Sequence, residues 1–369
     1  MQWVVAGGGT GGHVTPALAL AECIRARGDE VFVLGGTIGL EAKLVPAAGF
    51  ELVALPAKQI MGASLLAQLR ALPAMVSACL SARRILGQRG ADFVVSVGGY
   101  ASVPAVVGAV MRRIPVALVE PNAIPGRANR MAARFARRIF LGFEASLGRF
   151  GGLGRRDPER LRPVGIPLRR ALLDTFGSPQ ARRRPEPPYR LLVFGGSQGS
   201  RQINEAMMEA APALAGGAYR VFHQSGEADR ERVETAYREA GIAAEVVAFE
   251  SDMPTRYREA DLAVCRAGAL TVAELALAGL PALLAPYPFA ADDHQLANAR
   301  ALADAGAARL LDARPLSSQE LVKAIQACFE RPDELLAMGE HAAALARPDA
   351  AEVIVSECAA LHGEKGGDV

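Results

Sequence analysis

Three glycine-rich turns, each directly after a short apolar run, are where this sequence can first do chemistry. The first is Gly7-Gly8-Gly9-Thr10-Gly11-Gly12-His13 after Trp3-Val4-Val5-Ala6. The second is Gly98-Gly99-Tyr100 after Phe93–Val97, and the third is Gly195-Gly196-Ser197-Gln198-Gly199 after Arg190–Phe194. Glycine lets the main chain approach a ligand closely, and the N–H groups of a following helix favour negative charge. Thr10 and Ser197 add hydroxyls, so the turns suit a diphosphate. Gly7, Gly9 and Gly12 also form a nominal G-x-G-x-x-G, but a dinucleotide site needs an acid near the end of the next strand to hold a ribose. That strand, Val31–Leu34, runs into Gly35-Gly36-Thr37, which disfavours a nicotinamide dinucleotide. No G-x-x-x-x-G-K-[ST] occurs, which disfavours an ATPase P-loop.

Other residues add polar chemistry. Arg266-Ala267-Gly268-Ala269-Leu270-Thr271-Val272-Ala273-Glu274 reads as a strand-to-helix turn with Glu274 in the first turns of the helix. Glu274 either complements the helix dipole or accepts the hydroxyls of a ribose whose phosphates meet the helix start. In Asp292-Asp293-His294-Gln295-Leu296-Ala297-Asn298 a metal is disfavoured, because no second group has ligand spacing. Gln295 and Asn298 fit sugar hydroxyls better, since amides both donate and accept. His13 is either a satisfied turn histidine or, beside an anion-binding turn, a general base near neutral pH.

The elements that must position these residues alternate. Strand-like Val31–Leu34, Glu51–Leu55, Phe93–Val97 and Val116–Val119 are separated by helical segments Ala17–Arg25 (opened by Pro16), Leu40–Ala48 and Ser64–Gln88 (interrupted at Pro73). A basic helix follows, carrying Arg127, Arg130, Arg134, Arg137 and Arg138. Pro104 suits a first helical turn. After Val164-Gly165-Ile166-Pro167 and the proline-rich loop 182–188 the pattern restarts. Strand-like Arg190–Phe194, Tyr219–His223, Ala244–Ala248, Leu262–Cys265 and Ala282–Ala285 alternate with helices. Such alternation implies parallel sheets covered on both faces, and 369 residues suit two domains. The expectation is two doubly wound, Rossmann-like α/β halves, 1–164 and 165–346, facing across a cleft. A final helix within 347–363 packs back on the first half. Ligands in such sheets bind beyond the carboxyl ends of the strands.

Composition sets the surroundings. Five cysteines with no C-x-x-C pair fit a reducing cytosol and buried thiols. No basic-then-apolar leader is read, and the apolar run 101–111 is too short to span a bilayer, which needs about 20 residues. The first 156 residues hold 18 Lys and Arg against 8 Asp and Glu, while the remainder holds 23 against 31. A basic half joined to an acidic half suggests that the first meets an anionic surface. Within Ile60–Arg89 the residues Leu65, Leu66, Leu69, Leu72, Met75, Val76 and Leu80 run beside Arg70, Arg83, Arg84 and Arg89. That stripe is either core or an interface with anionic lipid. Nucleic acid is disfavoured, because the aromatic content is 5% and no recognised motif is present.

Taken together, the loops Gly8–His13, Gly98–Tyr100, Gly195–Gly199 and Arg266–Glu274, in that order over nearly the whole chain, resemble the signature loops of the MurG family of GT-B glycosyltransferases. The resemblance implies inverting transfer of N-acetylglucosamine from UDP-GlcNAc to the muramyl C4 hydroxyl of undecaprenyl-pyrophosphoryl-MurNAc-pentapeptide. It implies a donor site of Thr10, Gly11, Gly12, Asn122, Arg169, Ser197, Glu250, Ala269, Leu270, Thr271, Val272, Ala273, Glu274 and Gln295. Ser197 would meet the diphosphate, Glu274 the ribose and Gln295 the sugar hydroxyls. His13 would be the catalytic base, and Gly98, Gly99, Tyr100 and Asn129 would form the acceptor or diphosphate loops. No metal and no cofactor is expected, because helix dipoles and loop amides stabilise the departing UDP. The implied location is peripheral, on the cytoplasmic side of the inner membrane, with cell-wall synthesis proteins as further partners.

The chain departs from the family pattern at four places. His294-Gln295 replaces a Gln-Gln pair, and Glu250 stands at a commonly aliphatic position that reads uracil through its backbone. Gly165-Ile166-Pro167 replaces Gly-Asn-Pro, and Val119-Glu120-Pro121-Asn122 replaces His-Glu-Gln-Asn, which leaves the role of Glu120 open. Two alternatives stand beside this reading. One is a UDP-GlcNAc 2-epimerase-like enzyme; the other is a non-catalytic sugar-nucleotide or lipid-binding protein.

Overall fold

The computed structural model describes the chain except Ile38 and residues 56–64, 153–156, 178–181, 313–314 and 364–369. For residues 65–72, Pro158 and Ala291 the backbone alone is described. The chain divides into two compact units, Met1–Arg170 with Arg347–Val369, and Ala171–Ala346.

In the first unit, strands β1 (Gln2–Gly7), β2 (Glu30–Gly36), β3 (Leu52–Leu55), β4 (Phe93–Gly98), β5 (Val116–Glu120), β6 (Arg138–Leu141) and β7 (Leu161–Pro163) form one sheet. Its order is β3-β2-β1-β4-β5-β6-β7, and every pairing is parallel. Helices α1 (Gly11–Ala26), α2 (Glu41–Ala47), α3 (Leu65–Gln88), α4 (Val103–Met111) and α5 (Arg127–Ala132) complete it. A central parallel strand must be apolar on both sides, which is why Trp3-Val4-Val5-Ala6 is an unbroken apolar run. Alternate residues then face opposite ways. Val4 and Ala6 join Ala82, Leu86, Ala105 and Ala109 of α3 and α4. Trp3 and Val5 join Leu20 and Ile24 of α1.

The second unit repeats the plan. Strands β8 (Tyr189–Phe194), β9 (Tyr219–Gln224), β10 (Ala243–Val247), β11 (Leu262–Cys265), β12 (Ala282–Leu284) and β13 (Arg309–Leu310) lie in the order β10-β9-β8-β11-β12-β13, again all parallel. Its helices are α6 (Arg170–Phe176, at the boundary), α7 (Arg201–Ala210), α8 (Arg230–Glu239), α9 (Met253–Glu259), α10 (Ala269–Ala278), α11 (His294–Ala303), α12 (Ser318–Glu330) and α13 (Pro332–Ala344). The last helix, α14 (Ala350–Gly363), belongs to the first unit. Its stripe Ala351, Ile354, Val355, Cys358 and Leu361 has helical spacing and packs with Trp3, Val5, Leu20 and Ile24.

Each sheet has one place where the strand order reverses, between β1 and β4 and between β8 and β11. The connections on either side of such a switch point leave in opposite directions, so a crevice opens at the carboxyl ends of those two strands. All three glycine turns and the Arg266–Gly268 turn follow these four strands.

Three sequence expectations are corrected. Helix α1 starts at Gly11, a full turn before Pro16, so Gly11, Gly12 and His13 are its first turn. Helix α3 runs unbroken through Pro73. The basic helix ends at Ala132, is followed by a 3-10 turn, Ala133–Phe135, and gives way to β6 at Arg138. Arg137 and Arg138 are anchors for α14: Arg137 Nη1 donates to the Leu361 carbonyl at 2.9 Å, and Arg138 Nη1 pairs with Glu357 at 2.8 Å. No described helix is long and apolar enough to cross a membrane.

Candidate active site

At the first switch point the main chains of two loops touch. Gly98 and Gly99 have φ of +94° and +80°, conformations open to glycine, and a side chain at Gly99 would run into the Gly8 carbonyl. The same position faces the His13 ring, whose Nδ1 lies 2.9 Å from Thr10 Oγ1. Thr10 thereby fixes the imidazole through Nδ1. The Asn129 amide, 3% exposed, borders Gly98 from the other side. Tyr100 opens the short 3-10 turn Tyr100–Ser102, which Ser102 closes by donating to the Gly99 carbonyl at 2.9 Å.

Two buried acids hold these loops. Glu41 is 1% exposed and accepts from the Gly9 N–H at 2.9 Å and the Gly36 N–H at 3.1 Å. A carboxylate therefore does reach the end of β2, from five residues beyond Gly36, but both of its oxygens are engaged by loop amides. Glu120 accepts from the N–H groups of Asn122 and Gly126, both at 2.9 Å, and from Asn129 Nδ2 at 2.9 Å. Burial, opposed by these donors, leaves its pKa above the usual carboxylate range. The open role of Glu120 is thus resolved as a staple that orients Asn122 and Asn129.

At the second switch point Gly196 and Gly199 have φ of +97° and +74°. Ser200 caps α7 by accepting from Ile203 N, which leaves Ser197 exposed on the loop. Across the crevice, Gly268 precedes α10 with no side-chain cap, so the first-turn N–H groups of Ala269, Leu270 and Thr271 have no capping oxygen from that residue. Val272 is buried behind this turn and Ala273 borders it. Glu274 Oε2 accepts from the Tyr257 hydroxyl at 2.7 Å. Tyr257 is fully enclosed, and burial with the neighbouring carboxylate raises its pKa well above the ordinary value, so it stays a donor.

Buried polar groups tie these turns together. Arg266 Nη1 donates to Gln202 Oε1 at 2.8 Å and to the carbonyls of Ala285 and Pro286 at 3.1 and 3.0 Å. Burial lowers its pKa to about 10. Asn298 Nδ2 donates to the Ala267 carbonyl at 3.1 Å, so Asn298 supports the turn from behind and does not present its amide to a sugar. Gln295 Oε1 accepts from Tyr287 N at 2.9 Å, which leaves its amide NH2 as the donor on offer. Glu250 is spent locally: its oxygens accept from Asp252 N and Arg256 Nε, both at 2.8 Å. Burial raises its pKa, but these donors outweigh burial and hold it below the usual range.

A second buried set lies under the Ser197 loop. His223, 0% exposed, has Nδ1 2.8 Å from the Tyr237 hydroxyl and Nε2 3.1 Å from Asn204 Oδ1. Asn204 Nδ2 donates to the Ser225 carbonyl at 2.9 Å and to Asp229 at 3.0 Å.

The structure therefore brings Thr10, Gly11, Gly12 and His13 together with Gly98, Gly99 and Asn129 in the first unit. Ser197 shares the second unit's switch point with Ala269–Glu274, and Gln295 is joined through Tyr287 to the loop after the neighbouring strand β12. Asn122 lies beside Glu120, whereas Arg169 is exposed between β7 and α6. Sequence reasoning missed Glu41, Asn204, His223 and Tyr257. Glu41 alone left a local signal, an acid at the start of a helix after a strand-ending glycine pair.

Residues 3–141 match the glycosyltransferase family 28 N-terminal domain, and residues 190–354 match the family's C-terminal domain. The UDP-N-acetylglucosamine--N-acetylmuramyl-(pentapeptide) pyrophosphoryl-undecaprenol N-acetylglucosamine transferase of Anaeromyxobacter sp. (strain Fw109-5) is 43% identical over 371 residues, covering 100% of this chain and 95% of that protein. The chain belongs to the MurG family. The same-named transferase of Geobacter sulfurreducens is 42% identical, covering 98% of each chain. The crystal structure of Acinetobacter baumannii MurG superposes with a TM-score of 0.78 at 29% identity, covering 97% of this chain and 98% of that one. As a MurG-family member the chain is a family 28 glycosyltransferase with the GT-B fold, an enzyme.

The His223 set makes a prediction about pH. Burial pushes the His223 pKa down to about 3 from an ordinary 6.5, with Asp229 pulling the other way and Tyr237 neutral beside it. Between those values the unfolded chain binds a proton that the folded chain does not. Stability from this group is therefore complete above the unfolded pKa and is lost as pH falls towards 3. Melting temperature measured from pH 7 to pH 4 should fall less steeply in His223→Gln than in the unsubstituted protein. Parallel curves would remove the assignment.

Proposed function

We propose that this enzyme transfers N-acetylglucosamine, with inversion, from UDP-GlcNAc to the C4 hydroxyl of undecaprenyl-pyrophosphoryl-MurNAc-pentapeptide, converting lipid I to lipid II. The observation that carries the reading is the whole-chain match to transferases named for this reaction. It also disfavours an epimerase or a non-catalytic binder.

The geometry supports definite roles. The amides of the Gly196–Gly199 loop, Ser197 and the start of α10 meet the UDP diphosphate, with Ala269, Leu270, Thr271, Val272 and Ala273 lining that turn. Tyr257 aims Glu274 at the ribose hydroxyls. Gln295, its oxygen already satisfied, donates to hydroxyls of the sugar. Because Glu250 is held by Arg256, uracil is read by the backbone there. Asn122, Arg169, Thr10, Gly11 and Gly12 complete donor binding, while Gly98, Gly99, Tyr100 and Asn129 serve the acceptor diphosphate. For His13 to act as base, Nδ1–H donates to Thr10 and Nε2 takes the proton of the C4 hydroxyl. The C4 oxygen then forms its bond to C1 as the C1–O bond to UDP breaks, and the electron pair leaves with the diphosphate. Loop and helix N–H groups meet that growing charge.

The lipid acceptor requires a membrane surface, which we place on the first unit, at the cytoplasmic face. Val76 and Leu80 on α3 and Met111 on α4 are exposed at 56%, 50% and 47%. Arg83, Arg84, Arg112 and Arg113 are exposed on or next to the same two helices. Leu65, Leu66, Leu69, Arg70 and Leu72 of the predicted stripe lie outside the residues whose side chains are described.

With UDP-GlcNAc and the lipid-linked muramyl-pentapeptide, the purified protein should release UDP; free N-acetylmannosamine without transfer would favour an epimerase. His13→Ala should lower kcat by about 10²- to 10⁴-fold, with Thr10→Ala intermediate and Thr10→Ser close to normal. An unchanged kcat in His13→Ala would take the base away from His13. Glu274→Ala should weaken UDP binding by about 1.5–3 kcal/mol in calorimetry, and equal affinity would end the ribose assignment. Replacing Arg83 and Arg84 by Glu should reduce flotation with anionic vesicles and spare UDP binding. Unaltered flotation would move the membrane surface elsewhere.

A further inference from the structure

The loop that follows β8 and the turn that follows β9 interlock without side chains between them. A side chain at Gly199 would collide with the Ser225 carbonyl, and one at Gly226 with the Gln198 carbonyl. Gln224 Nε2 donates to the Gly196 carbonyl at 3.0 Å. The Gly196–Gly199 loop therefore takes its position from the Ser225–Gly226 turn, and any displacement of that turn moves Gln198 and Gly199 with it.

Ser225 N donates to the Val247 carbonyl on one side of the turn, and the buried set beneath holds the turn from the other. Asn204 donates from Nδ2 to the Ser225 carbonyl and to Asp229, so its Oδ1 is the acceptor left for His223. That orientation sets the histidine tautomer: Nε2–H donates to Asn204, and Nδ1 accepts from the Tyr237 hydroxyl. Tyr237 stands on α8, Asn204 on α7 and His223 on β9, so one imidazole joins three elements through directional bonds. A methyl-lined core would fill the same space but would not fix the amide of Asn204. His223 is wholly enclosed, so any effect it has on the reaction passes through the loop.

We propose that His223 is a positioning residue for the nucleotide's diphosphate: through Asn204 and the Ser225–Gly226 turn it holds the Gly196–Gly199 amides in the geometry that grips phosphate oxygens. This rests on the second unit being the UDP-GlcNAc site. The bonds it organises are directional and buried, so a diphosphate is the part of the donor most sensitive to their loss, whereas the nucleoside is read elsewhere, at Glu250 and Glu274.

The test is calorimetry with UDP, competition with uridine, and steady-state kinetics, on His223→Leu, His223→Gln and Tyr237→Phe beside the unsubstituted protein. His223→Leu should bind UDP about tenfold more weakly and raise the donor KM similarly. Uridine affinity and the acceptor KM should stay unchanged. His223→Gln, whose amide can still donate to Asn204, should recover most of the UDP affinity. Tyr237→Phe removes one hydroxyl with little change of shape and carries the test if His223→Leu does not fold. Equal weakening of UDP and uridine, or unaltered UDP affinity in a folded variant, overturns the proposal. Failure of the unsubstituted protein to bind UDP would instead overturn the reading on which it rests.

Discussion

Main chain packed directly on main chain is the constraint that sets a glycine loop at each switch point. In the first unit Gly99 lies against the Gly8 carbonyl, and in the second Gly199 lies against the carbonyl of Ser225. No β-carbon fits at either contact, so glycine is required by space as well as by positive φ. The contact holds two strand-end loops directly against each other. Helices α1 and α7 then begin where the loops end, which adds one set of N–H groups to each crevice. Sequence glycines at four strand ends are the visible residue of that arrangement.

The acids divide according to their donors. Glu41 and Glu120 are buried among backbone N–H groups and an asparagine amide, and Glu250 is closed by a backbone N–H and an arginine. Such carboxylates hold loops. Glu274 is oriented by a tyrosine hydroxyl whose burial keeps it protonated. These four glutamates therefore have different work, and the difference lies in what donates to them.

The legible part of this structure is the part written locally. The apolar runs before each glycine turn announced the parallel strands, and the Arg266–Glu274 pattern announced a helix start. Pro16 places the helix carrying His13 a turn late, because a proline that follows a glycine run reads as a first-turn residue. Strand β6 was hidden inside a run of arginines whose spacing suits a helix; two of them are there to hold α14. Tyr257 and His223 were not legible at all. Their roles come from partners 17 and 19 residues away, Glu274 and Asn204, which periodicity does not register.

Helix α14 carries a consequence for how the chain is made. Its residues Ile354, Val355 and Cys358 are part of the same core as Trp3 and Val5, although the whole second unit is translated between them. A growing chain therefore cannot finish its first unit when the ribosome has passed Arg170. The second unit, Ala171–Ala346, is complete in sequence before the first has its last helix. Domains usually mature from the amino end during synthesis. Here part of one apolar face of the amino-terminal sheet, the part beside α1, waits uncovered until α14 has emerged, so a stop before Ala350 damages the half of the protein that was made first.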